Sequence, residues 1–213
     1  MLSGLHPATG QPLEPNGAVP DRIEVDLPVM GRRGMWATHS IDLWDPQGRP
    51  LWLEHPQHGR TVDLAAIRFV CPEGYTHYPL NTVKFDEIPV EVAQDVFILG
   101  FPLAIAGGGR FPIWKRGSIA SEPDLDLDGL PKVLIDTATR EGMSGAPVIV
   151  QFIGYYAENP DAPSLNDWFG MGRCLLGVYS GRLPGKSESE AQLGIVWKAR
   201  ALLEIIDAGV RPC

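Results

Sequence analysis

The stretch Glu141-Gly142-Met143-Ser144-Gly145-Ala146-Pro147, running into the apolar strand Val148-Ile149-Val150, decides how this chain is read. A serine hydroxyl is a weak nucleophile and needs exposure, a base to take its proton, and donors for the oxyanion it generates. Glycines on both sides of Ser144 allow a tight turn with no Cβ in the way. Such a turn can aim the backbone N–H groups of Gly142 and Ser144 at one point. Taken alone, Gly-Ser-Gly is also an ordinary hairpin turn. The flanking residues separate the alternatives: the nucleophile elbow of α/β-hydrolases, G-x-S-x-G, requires Gly at 146 and a helix directly after. Here Ala146, Pro147 and a β-branched run come next, which fits a strand and not a helix.

Working outward, the rest of the chain reads as short extended segments broken by Gly and Pro. Residues 1–22 carry no periodic apolar pattern and read as a loop. Extended segments lie at 23–29, 35–45, 51–54, 63–70, 95–103 and 111–121, then at 132–139, 146–152, 174–181 and 193–198. A loop is expected from Tyr155 to Arg173. Only residues 198–207 are helical in pattern, with Ala201, Leu202, Ile205 and Ile206 on one face. About ten strands closed by one helix predict an all-β domain, a barrel or sandwich.

Composition agrees and narrows the function. The 213 residues include 24 glycines and 20 prolines, about a fifth of the chain against a usual 12% or so. A hydrophobic share of 44% with 21% charged residues is that of a folded globular chain. Eighteen basic against 26 acidic residues give a net charge of -8, which argues against nucleic acid as the main partner. No apolar run approaches the roughly eighteen residues of a membrane-spanning helix, so no membrane partner is expected. Cys71, Cys174 and Cys213 form no CxxC pair and no zinc-ligand spacing, which predicts free thiols in a reducing, cytoplasmic setting. Asp124, Asp126, Asp128 and Gly129 spell the opening of a calcium loop, but the twelfth position, where a bidentate Glu belongs, is Ile135. A solvated acidic loop is the expectation there, with no metal.

GMSGAPV at 142–148 resembles the nucleophile motif of trypsin-like, chymotrypsin-fold serine peptidases, G-x-S-G-x-P, with Ala146 where Gly is more usual. Val62-Asp63-Leu64-Ala65-Ala66-Ile67 is similar to that family's D-[IVL]-A-[LV]-[LI] segment, whose Asp orients the catalytic histidine. FILGFP at 97–102, KRGSIAS at 115–121 and LLGVYSG at 175–181 come in the family's order. The resemblance implies two antiparallel β-barrels with the active site between them and a C-terminal helix. It would form one peptidase domain over 1–213, with the first barrel to about residue 105 and the second from about 106 onward.

The function so implied is hydrolysis of a peptide or protein substrate through an acyl-enzyme on Ser144, without cofactor or metal. Asp63 would hold the imidazole in the right tautomer, and the Gly142 and Ser144 amides would form the oxyanion hole. Tyr179, Ser180 and Gly181 would pair with the substrate backbone. Ala138, six residues before the serine, would lie at the base of the specificity pocket, where the lack of a carboxylate argues against an Arg or Lys preference.

The chain departs from the family at the histidine. His6 has only five residues before it, and LSG-x-x-P-x-T-G-x-P-L at 2–13 resembles the segment just after the catalytic His in bacterial members. That places the His upstream of Met1, with the first barrel short of one or two strands. His6 and His39 remain as alternatives, while His55 and His58 lie too close to Asp63 in sequence. A peptidase fold kept as a non-catalytic binding or scaffolding module is the rival function. The oligomeric state is not legible.

Overall fold

The computed structural model of the chain describes residues 4, 10–80, 85, 88–157, 167–183 and 192–212. They carry ten strands and one α-helix, an all-β architecture of the chymotrypsin type with a C-terminal helix. Two compact units divide the chain: Met1–Thr82 with Ala201–Cys213, and Val83–Arg200.

In the first unit, β1 (Arg22–Pro28) pairs antiparallel with β2 (Trp36–Asp42) from Arg22↔Asp42 to Pro28↔Trp36. Alternation along β1 turns Ile23, Val25 and Leu27 away from solvent, as a period of two dictates. β3 (Trp52–Leu53) and β4 (Ala66–Ile67) form a second short ladder. Among the described residues this unit therefore holds two two-stranded ladders and not a closed ring. Leu43, Trp52 and Val62 are buried here, with Trp44 edge-on to Trp52 at 5.0 Å.

Helix α1 (Ala199–Ala208) is amphipathic, with Ala201 and Ile205 fully buried. Ile206, placed on that face from sequence, is exposed, because 100° per residue carries it well off the Ala201–Ile205 line. A bridge between Glu54 and Val210 and the contact of His55 Nε2 with Glu204 Oε2 at 2.7 Å hold the C-terminal segment to the end of β3. From Ala201 onward the helix thus belongs with the first unit, where the sequence division had put it with the second barrel.

The second unit is a closed six-stranded barrel in the order β10-β7-β6-β5-β8-β9. Its strands are β5 (Asp95–Gly100), β6 (Ile113–Ile119), β7 (Lys132–Asp136), β8 (Pro147–Tyr156), β9 (Trp168–Arg182) and β10 (Leu193–Lys198). Two three-stranded meanders, β5-β6-β7 and β8-β9-β10, are joined by the β5–β8 and β7–β10 ladders, all antiparallel. Closure leaves no sheet edge to protect. Val96, Ile98, Val133, Ile135, Val148, Val150 and Val196 alternate into its core. β5 was expected in the first barrel; both its edges pair with second-half strands, which moves the boundary to about residue 83. The loop expected at 155–173 is also corrected, since β8 runs to Tyr156 and β9 starts at Trp168. No helix among the described residues is long and apolar enough to cross a membrane.

Candidate active site

The turn that carries Ser144 is built onto the end of β5. Met143 is fully buried and serves as the apolar anchor. Gly100 makes room for it, since a Cβ there would lie 3.0 Å from Met143 Sδ and 3.2 Å from Ala146 Cβ. Gly142 has φ +87°, and a Cβ would collide with the Phe101 carbonyl oxygen, so the position admits only glycine. Leu103 N–H donates to Glu141 O at 2.7 Å, holding the entry to the turn against the Phe101–Ile105 segment. Leu103 and Ala104 themselves adopt left-handed backbone conformations, φ +53° and +57°, which non-glycine residues hold only at a cost of order 1 kcal/mol.

The exit of the turn is tied to β9. Gly145 N–H donates to Tyr179 O at 2.7 Å, Tyr179 N–H to Ala146 O at 2.9 Å, and Ala146 N–H to Met143 O at 3.1 Å. Between buried Met143 and buried Ala146, Ser144 is left exposed at the apex. Its Oγ donates to the Ser180 carbonyl at 2.7 Å. That carbonyl is available because Ser180 is a bulge: Ile195 faces Gly181 and Val196 faces Tyr179, leaving Ser180 as the extra residue. Among the described residues, neither the Gly142 nor the Ser144 N–H donates to a backbone acceptor.

Two sequence expectations change here. Both backbone groups of Tyr179 are taken by the serine turn and its side chain is buried, so Tyr179 offers no edge to a substrate backbone. Ser180 and Gly181 are half-buried, and Gly181 already pairs with Ile195. Ala138 is exposed, while Thr137 and Thr139 on either side of it are buried. In an extended segment those two side chains face inward and Ala138 faces out, so Ala138 is not the floor of an enclosed pocket.

The motifs flagged Tyr179 for substrate binding but not its side-chain packing, and they did not flag Thr139. Thr139 Oγ1 and Tyr179 OH share a short hydrogen bond. Burial pushes the Tyr179 phenol above its ordinary value of 10.0, against the opposing pull of the Thr139 hydrogen bond and the Arg182 charge, so it stays neutral. The ring lies over Gly194, where a Cβ would come 2.5 Å from Tyr179 Cε2. The one legible signal for this packing was the glycine opening the apolar run GIVW at 194–197.

Asp63 lies in the first unit, after fully buried Val62, and is half-buried. It precedes β4 by three residues, not opening the strand as its sequence pattern suggested. His39 sits on β2 opposite Val25, with its ring 5.8 Å from that of Phe69. His55 is 1% exposed: Nδ1 accepts from the Gln57 and His58 backbone N–H groups, which leaves Nε2 as the protonated nitrogen facing Glu204. Both ring nitrogens are committed, so His55 is a structural clamp. His6 and Cys213 lie outside the described residues; Cys71 is a free thiol, and Cys174 is half-buried on β9. In the acidic loop, Asp126 is paired with Lys198 and Arg200, and Asp128 with Lys132, so two of the three aspartates are engaged by cations of the chain itself.

Comparison with curated proteins and with solved structures gives no match. The family model described as trypsin-like peptidase domain matches residues 29–151, more than half of the chain, and the match includes both Asp63 and the Ser144 turn. With a closed antiparallel barrel presenting an exposed serine on a glycine-bounded turn, the chain belongs to the trypsin-like peptidase domain family.

Proposed function

We propose that this chain is a serine hydrolase of peptide or protein substrates that works through an acyl-enzyme on Ser144. One observation supports it above the others: the barrel pins the residues around Ser144 and leaves the serine exposed, beside two N–H groups that meet no backbone acceptor among the described residues. In the proposed reaction Ser144 Oγ attacks the carbonyl carbon while a histidine takes its proton. Asp63 holds that imidazole in the productive tautomer. The Gly142 and Ser144 N–H groups take the charge on the tetrahedral oxygen, each such donor being worth about 3 kcal/mol of barrier. The imidazolium returns its proton to the leaving amine, and water then releases the acyl group.

His55 does not fit the base, because its ring nitrogens are spoken for. His39 and His6 are the histidines to test. The second proposal, a binding module on a peptidase fold, has one observation in its favour: the Ser144 hydroxyl donates to a carbonyl, Ser180 O, which offers no route for the proton. A fluorophosphonate probe separates the two. Labelling that disappears in Ser144→Ala supports the hydrolase, and His39→Ala and His6→Ala then identify the base. A chain that stays unlabelled and still captures peptides is a binding module, and labelling that survives Ser144→Ala removes the nucleophile assignment.

A further inference from the structure

We infer that the part of the β8–β9 hairpin running beyond the barrel is a self-association face, on which a second copy of this chain stacks about a two-fold axis. β8 pairs with β5 only as far as Val150, and β9 pairs with β10 only from Gly177 onward. Over 151–156 and 168–173 the two strands have only each other as ladder partners among the described residues. A two-stranded ribbon is at best marginally stable in water unless another layer covers its apolar face. One face here is apolar and bare. Ile153 pairs with Met171 and Tyr155 with Phe169, and these side chains are 69%, 52%, 56% and 81% exposed in that order. The opposite face is built differently: Gly154, Gly170 and Gly172 lie there without side chains. Phe152 folds along it, so that a Cβ at Gly154 would lie 3.1 Å from Phe152 Cζ.

Charge selects the occupant. Tyr155 OH donates to Asp167 Oδ2 at 2.7 Å, and Arg173 Nη2 donates to Met171 Sδ at 3.1 Å, so both charged groups lie on the apolar face. They stand at its two ends, roughly 20 Å apart at about 3.3 Å per residue. A face with a cation at one end, an anion at the other and apolar side chains between them is complementary to itself when turned end for end. A two-fold axis crossing the ribbon at Gly154 and Gly170 lays Arg173 over the second copy's Asp167, Met171 over its Phe169, and Ile153 over its Tyr155. It also sends the two barrels to opposite ends. An axis along the strands would bring Arg173 to Gln151 instead and set both barrels at the same end. At roughly 200 Å² for each large side chain, the four expose on the order of 500 Å² per copy. Two copies with their flanking charges therefore reach about the 1,000 Å² that a specific interface needs, the scale of a reversible dimer.

Sedimentation equilibrium of the whole chain tests this, whatever the role of Ser144. The protein should be a reversible dimer at concentrations on the order of 50 µM. Phe169→Ser and Ile153→Ser should each weaken the dimer at least about 10-fold, because every substitution is made twice in a two-fold interface. Arg173→Asp alone and Asp167→Arg alone should each weaken it at least about 30-fold by setting like charges together. The two combined should bring association back to within about 5-fold of the unmodified chain. These surface charge exchanges stay decisive where an apolar substitution does not fold. A chain still monomeric at about 500 µM overturns the inference and leaves the face to another occupant. A dimer that Phe169→Ser leaves unchanged, or a doubly exchanged chain no better than the single ones, overturns it as well.

Discussion

Gly142 and His55 show how single residues divide between chemistry and architecture. At Gly142 a positive φ coincides with the close approach of the Phe101 carbonyl, so a side chain is excluded twice. Gly142→Ala should cost at least about 1 kcal/mol of stability and, by moving the N–H proposed as an oxyanion donor, reduce fluorophosphonate labelling of the remaining folded protein. Thermal melting alongside labelling kinetics measures both. His55 predicts the opposite pattern. His55→Ala removes an acceptor for two backbone amides and the 2.7 Å contact with Glu204, so a loss of about 1–3 kcal/mol is expected. Labelling per folded molecule should not change, and a proportional loss would instead make His55 part of the reaction. Asp63→Asn carries the third expectation at this scale: turnover about 10⁴-fold lower with the fold retained, as when an imidazole is held in the wrong tautomer.

At the scale of elements, β9 does more than complete a sheet. Its bulge at Ser180 turns a carbonyl toward the Ser144 hydroxyl, and the second irregularity, between Val148 and Ile149 on β8, leaves Leu176 as the extra residue on β9. Between the two bulges Gly177 passes against β10 so closely that a Cβ would overlap the Trp197 carbonyl. Gly177→Ala should therefore destabilise the barrel by about 3 kcal/mol, seen as a lower denaturation midpoint. A loss below about 0.5 kcal/mol would mean that the β9–β10 ladder is looser than described. The long β8–β9 hairpin was hidden in the sequence because Gly154, Gly170 and Gly172 read as loop punctuation. Cross-strand pairing, Ile153 with Met171 and Tyr155 with Phe169, outweighs that local signal.

For the molecule as a whole, the acidic balance is not spread passively over the surface. Asp126 accepts from Lys198 and Arg200, joining the loop after β6 to the end of β10 and the start of α1. The Arg200 and Lys198 hydrogen bonds hold its carboxyl below the ordinary 3.8. With the folded value depressed, the pairing is fully present above about pH 4 and is lost as pH falls through the lower folded value. Asp126→Asn should cost up to about 1 kcal/mol at pH 7, since the group is partly exposed. It should also flatten the fall in stability below pH 4. An unchanged acid limb in urea titrations would show that the cations are not coupled to folding.

The sequence by itself determined the fold class, the family and the nucleophile candidate. Each of these is written in local features: period-two apolar strands, a high share of Gly and Pro, and the GMSGAP run with a strand and not a helix after it. The Asp63 motif was legible in the same way. What only the tertiary structure decided lies in contacts between residues far apart in the chain. Tyr179 reaches Thr139 across 40 positions, His55 meets Glu204 across 149, and β5 leaves the first half of the chain because its ladder partners are β6 and β8. Local spacing cannot encode such pairings, because they exist only once distant segments have come together and burial obliges each polar group to find its partner.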